Sequence, residues 1–114
     1  MAPPTVDFLR GALDLLILRA LSLQPTHGYG VARWIEQASE ATLRIEEGSL
    51  YPALYRLEDR GWVESEWGLS ENNRRAKFYR LTRVGRNQLR AEEDNFSRFA
   101  RAVFKVLATA PRPA

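Results

Sequence analysis

Cysteine is absent from this 114-residue chain, and histidine occurs once, at His27. Without a thiol there is no disulfide, no thiolate nucleophile and none of the cysteine-bearing zinc sites, and one imidazole cannot build a histidine-based metal cluster. No metal set and no cofactor site can be assembled, and an enzyme would need a nucleophile–base pair that these residues do not offer. Long apolar runs are missing too. The strongest, Phe8 to Leu23, is broken by Arg10, Asp14 and Arg19, whereas a membrane span wants about 20 nearly uncharged residues. Neither a basic start nor a small-residue cleavage pattern marks a secretory signal, so the expected compartment is the cytoplasm, with no membrane partner.

With 45% apolar and 27% charged residues, the composition is that of an ordinary globular protein, and the length suits a single domain over residues 1–114. The net charge of +3 is modest but unevenly spread. Residues 72–91 hold seven cations, Arg74, Arg75, Lys77, Arg80, Arg83, Arg86 and Arg90, and no acid. Taking these seven from the chain's 17 leaves ten against all 14 acids, a formal −4 elsewhere. A local cationic patch attracts a polyanion; the bland alternative is a solvated face or ion pairs with the acidic remainder.

Apolar spacing predicts a mainly α fold with a small β-hairpin (α+β). Asp7 can cap a first helix over Phe8 to Leu23 that ends at Gln24-Pro25. That helix is apolar almost all round, so it needs two covers, and the expected pair is the core and a partner subunit. Val31, Ala32, Trp34, Ile35 and Ala38 predict a second helix ending near Ser39, and the alternation in Thr42-Leu43-Arg44-Ile45 suggests a short strand. Ser49 is the candidate N-cap of a third helix carrying Leu50, Leu54 and Leu57 and stopping at Gly61; Pro52 then falls in the first turn, where a missing N–H costs little. Trp62–Trp67 and Ala76–Leu81 alternate around a polar turn, which predicts a hairpin with basic residues at its tip. Thr82 can cap a fourth helix to about Ala108, roughly 40 Å long, whose stripe of Leu89, Phe96, Phe99, Val103 and Val106 suits another helix.

Helix, helix, short strand, helix, hairpin, helix is the order of a winged helix-turn-helix, in which the third helix enters the DNA major groove and the wing reaches the neighbouring backbone or minor groove. Leu50, Ala53, Leu54 and Leu57 would face the core, leaving Ser49, Tyr51, Pro52, Tyr55, Arg56 and Asp59 on other faces. Arg56 is the side chain best suited to the guanine edge.

These stretches resemble the PadR-type transcriptional regulators. The likeness runs through Leu9-Arg10-Gly11, His27-Gly28-Tyr29-Gly30, Glu47-Gly48-Ser49-Leu50-Tyr51-Pro52-Ala53-Leu54-Tyr55-Arg56-Leu57-Glu58, Arg60-Gly61-Trp62-Val63, and Arg74-Arg75-Ala76-Lys77-Phe78-Tyr79-Arg80-Leu81-Thr82 with Gly85. It covers residues 9–89. The resemblance implies a homodimeric repressor with a winged helix-turn-helix over 7–82 and a dimerisation helix over 83–109. Carried over by position, the DNA contacts are Tyr29, Ser49, Tyr51, Pro52, Tyr55, Arg56, Arg74, Arg75 and Lys77 on a roughly palindromic operator. The expected dimer face is Phe8, Leu9, Leu13, Leu16, Leu89, Phe96, Phe99, Val103 and Val106. Members of that family often lose DNA affinity to an aromatic or lipophilic effector, but no pattern from Asn95 onward is carried over; the stripe of Phe96, Phe99 and Phe104 reads first as dimer seam and second as a candidate effector pocket. The alternative from another class is a winged-helix module that binds protein and has no operator.

Single residues carry bland readings beside the functional ones. His27 reads as a capping or turn residue rather than a pH sensor, and Gly28 and Gly30 as turn geometry rather than a phosphate approach. Trp34, Trp62 and Trp67 read as core or wing packing, with stacking on a ligand as the alternative. Glu46, Glu47 and Glu58 read as dipole-favoured or paired charges rather than general acids.

Overall fold

Leucine and isoleucine spacing in the first helix sets the middle of the core. In the computed structural model, which describes residues 12–112, α1 (Leu13–Leu23) buries Leu13, Ile17, Leu18, Ala20 and Leu21. The expected cap at Asp7, together with Phe8 and Leu9, lies outside the described residues. Pro25 biases the residue before it away from helical angles, and Gln24 is accordingly extended, ending the helix.

The next two residues form β1 (Thr26–His27), and His27 caps α2 (Gly28–Ala38): its Nδ1 accepts the Gly30 N–H at 3.0 Å. The capping reading of His27 therefore holds. After Ser39 the chain turns through Glu40 and Ala41, both in the left-handed region, and the Ser39 hydroxyl accepts the Leu43 N–H at 3.0 Å. Thr42–Ile45 is not a strand. Leu43 and Ile45 do pack half-buried on the core, as alternation implies, but the segment has no ladder partner. The third strand of the sheet is Thr26–His27 instead, paired with Tyr79 and Phe78.

α3 (Glu47–Asp59) starts earlier than expected. Its N-cap is Glu46, which makes no side-chain capping bond, and Ser49 lies inside the first turn, its N–H donating to the Glu46 carbonyl. Pro52 is thereby moved into the second turn, where it removes the bond to the Gly48 carbonyl. Gly48 is exposed, which keeps the cost of the missing bond below that of a buried carbonyl. The helix ends as expected at Gly61, left-handed at φ +78°, with Gly61 and Trp62 N–H groups returning to the Glu58 and Leu57 carbonyls.

β2 (Val63–Leu69) and β3 (Arg75–Leu81) form the hairpin, and the antiparallel sheet has the order β1-β3-β2. Val63, Tyr79 and Leu81 bury at its base beside Leu50, Ala53, Leu54 and Leu57 of α3 and Val31 and Ile35 of α2. Thr82 then caps α4 (Arg83–Ala108), accepting the Gly85 N–H at 3.0 Å and donating to the Gly61 carbonyl at 2.6 Å. The architecture is the expected winged helix, mainly α with a small sheet.

Only Gly85 and Leu89 of α4 are buried, so the helix leaves the body of the chain. The radius of gyration of 16.5 Å exceeds the value of about 13 Å for a compact chain of this size, and the long axis reaches 65 Å. Leu13 and Leu89, expected on a partner face, are covered by the chain's own core at 5% and 7% exposure, and Leu16 is half-buried against it. The large apolar side chains left open on α4 are Val84 in its first turn and, beyond Leu89, Phe96, Phe99, Val103, Phe104, Val106 and Leu107.

Candidate nucleic-acid interface

Strand alternation decides what the wing shows to the rest of the chain. The hairpin face that buries Val63, Tyr79 and Leu81 at its base carries Trp67, Arg75 and Lys77 towards its tip, since Trp67 pairs with Lys77 and Leu69 with Arg75. There it forms one wall of a groove of about 1220 Å³ whose other wall is α2, with Tyr29 and Arg33, and whose lining includes Tyr51 of α3. Arg33, Arg74, Arg75 and Lys77 stand in that lining against the carboxylate of Glu71. A second groove, of about 1050 Å³ between α2 and the start of α3, has the opposite sign: Glu36, Glu40, Glu46 and Glu47 against Arg33 and Arg44. A polyanion is attracted to the first and repelled by the second.

The first groove brings together five residues carried over by position: Tyr29, Tyr51, Arg74, Arg75 and Lys77. Tyr55 and Pro52 stand outside it on the exposed face of α3, and Ser49 is half-buried. Arg56 is exposed but turned towards α1, with Nη2 3.2 Å from Asp14 Oδ1; Arg60 reaches the other oxygen of the same carboxylate at 3.6 Å. Lys77 is engaged as well, its Nζ 3.3 Å from Glu58 Oε1, while Glu58 also accepts the Ser65 hydroxyl. Glu58 is thus the paired charge expected of it, tying α3 to both strands of the wing.

The cationic run is partly neutralised. Arg80 is held by Glu64 at 2.7 Å, and that hydrogen bond raises its pKa further above the ordinary arginine value. Burial pushes the Tyr79 hydroxyl up, with Lys77 opposing the shift. Of this run, the groove cations without an ion pair among the described residues are Arg74 and Arg75, nearest the wing tip, and Arg33 of α2 joins them from the opposite wall.

Two groove residues escaped the sequence reading. Arg33 lies one helical turn after Tyr29, a spacing that would have found it. Trp67, expected to pack, is 59% exposed, whereas Trp34 and Trp62 are half-buried against the core. Gly28 and Gly30 stand at the start of α2 without positive φ, and close packing rather than a left-handed turn calls for glycine at both. A side chain at Gly28 would meet the Tyr51 ring and one at Gly30 would meet Thr26 Oγ1; among the described glycines only Gly61 has positive φ.

Residues 17–91, from mid-α1 through the wing into α4, match the profile of the transcriptional regulator PadR-like family. The chain belongs to that family. A transcriptional regulator of Mycobacterium tuberculosis is 34% identical over 98 residues, which span 85% of this PadR-like chain and 87% of that protein. A transcriptional regulator from Clostridium thermocellum superposes with a TM-score of 0.79 at 28% identity, covering 87% of this chain and 96% of its own. A PadR-family regulator from Eggerthella lenta gives 0.76 at 31% identity, with 92% and 89% covered. Membership makes the chain a transcriptional regulator rather than an enzyme. Among the described residues no helix is long and apolar enough to cross a membrane.

Proposed function

We propose that this chain is a homodimeric repressor that binds double-stranded DNA at a roughly palindromic operator. The observation that carries the reading is the groove in which Tyr51 of α3 meets Tyr29 of α2 and the cations of the wing. α3 enters the major groove, with Tyr51, Pro52 and Tyr55 on its open face and Ser49 at its first turn, while Arg74 and Arg75 take the neighbouring phosphates. Arg56 and Lys77 join by exchanging Asp14 and Glu58 for DNA. Half-exposed ion pairs of this kind are worth at most about 1 kcal/mol, so the exchange is cheap.

The winged helix covers residues 7–82, and the helix over 83–109 makes the dimer. Support comes from the open stripe of Phe96, Phe99, Val103 and Val106, since each large apolar side chain buried against a second copy contributes about 1.5–3 kcal/mol. Two third helices then sit about 34 Å apart, one turn of duplex. A small aromatic or lipophilic effector that enters between the paired helices, against Phe96, Phe99 and Phe104, releases the DNA. Gel-shift against the DNA upstream of the protein's own gene tests the core of the reading: a complex at low salt supports it, and no complex favours the protein-binding alternative. Release of that complex by aromatic compounds tests the effector.

A further inference from the structure

The two walls of the cationic groove repeat one arrangement. On α2, Arg33 follows Tyr29 by one turn and its guanidinium carbon lies 5.8 Å from the Tyr29 ring centroid. On the wing, Arg75 is the diagonal cross-strand neighbour of Trp67 and lies 4.6 Å over its ring. Tyr29 and Trp67 are 62% and 59% exposed, a costly way to use two large aromatics that add nothing to the core. Among the described residues neither Arg33 nor Arg75 has a carboxylate within ion-pair distance, in contrast to Arg44, Arg56, Arg60, Lys77 and Arg80.

We propose that Tyr29–Arg33 and Trp67–Arg75 form a two-sided clamp on the sugar–phosphate backbone of duplex DNA, with Arg33 as an additional phosphate contact and Trp67 as the residue that positions Arg75. The inference rests on the DNA-binding reading above. An aromatic face holds the guanidinium in one plane and leaves its N–H fork directed outward, the geometry that grips two phosphate oxygens at once. Since no ion pair has to open, both arginines are ready before DNA arrives. The acidic groove on the far side of Arg33 repels the strand and so keeps it on the wing side.

The test uses the full chain, a duplex from upstream of its own gene and a random duplex of equal length, with affinity followed between 50 and 200 mM salt, where each phosphate contact adds about 0.9 to the log–log slope. Arg33→Ala and Arg75→Ala each flatten the slope by about that amount on both duplexes, and Arg33→Lys keeps it. Trp67→Ala leaves the slope unchanged and weakens binding about two- to five-fold, the range of an exposed cation–π contact. Trp67→Phe restores part of the loss, and Trp67→Ala has no further effect once Arg75 is alanine. A merely structural Trp67 would instead weaken binding equally in both backgrounds, which overturns its positioning role. Wild-type slopes in Arg33→Ala overturn the second side of the clamp. Absence of any wild-type complex at 50 mM salt overturns the DNA-binding reading and the clamp together, whereas wild-type binding with indifferent Arg33→Ala and Trp67→Ala variants overturns the clamp alone.

Discussion

The Tyr51 ring lies so close over Gly28 that a Cβ there would stand 2.8 Å from its Cε1 and 2.9 Å from its hydroxyl oxygen. This contact seats the third helix on the start of the second and sets where Tyr51 points. Because the colliding atoms are the free end of a side chain, Gly28→Ala should turn the ring aside rather than unfold the chain. The expected outcome is a melting temperature within a few degrees of wild type, since alanine also favours the helix, and a several-fold loss of operator affinity. Gel-shift and a thermal melt on one preparation check both halves.

Gly85 is the opposite case. A Cβ there would run into the Trp62 backbone carbonyl, which cannot swing away, so Gly85→Ala must push α4 off the hairpin. Overpacking of this kind costs roughly 1–3 kcal/mol or more, to be read as a lower urea midpoint. An unchanged midpoint would mean that α4 is not seated on the wing as described.

Pro52, in the second turn of α3, withholds a hydrogen bond from the Gly48 carbonyl. Pro52→Ala restores the donor and should stabilise the chain by roughly 1–3 kcal/mol. If Pro52 meets DNA as proposed, the same variant loses operator affinity while gaining stability. A variant that is less stable than wild type contradicts the account of the helix.

Tyr79 supplies the pH dependence. Its pKa is raised above the ordinary 10.0 chiefly by burial, so the folded chain holds the phenolic proton more tightly than the unfolded one. The stability this contributes is complete below the unfolded value and is lost as pH rises through the folded value. Wild type should therefore lose stability from about pH 10 upward more steeply than Tyr79→Phe, and melts across that range check the difference.

Helix ends and strand alternation were legible where the signal is local. Pro25, the His27 and Thr82 caps and Gly61 each act within a few residues, and each sets a helix end where the sequence puts it. The misreadings involve partners far along the chain. Thr26–His27 is a strand only because Phe78 and Tyr79 arrive beside it. Ser49 has a good capping side chain, yet the helix begins at Glu47, where the run anchored by Leu43 and Ile45 on the core delivers the chain. Of the candidate site, the wing arginines and the tyrosines of α2 and α3 were legible. The Asp14 hold on Arg56, 42 positions away, was not, nor was the exposure of Trp67, because a tryptophan in an alternating strand fits the core and the open wing equally well.

Sedimentation of the chain alone and with its upstream duplex tests the central claim most directly. The account predicts a species of twice the 13.1 kDa chain mass in free solution, and two chains on one duplex at low salt that dissociate steeply as salt rises. A single-chain particle at micromolar concentration, or a duplex that sediments unaltered at low salt, would contradict it.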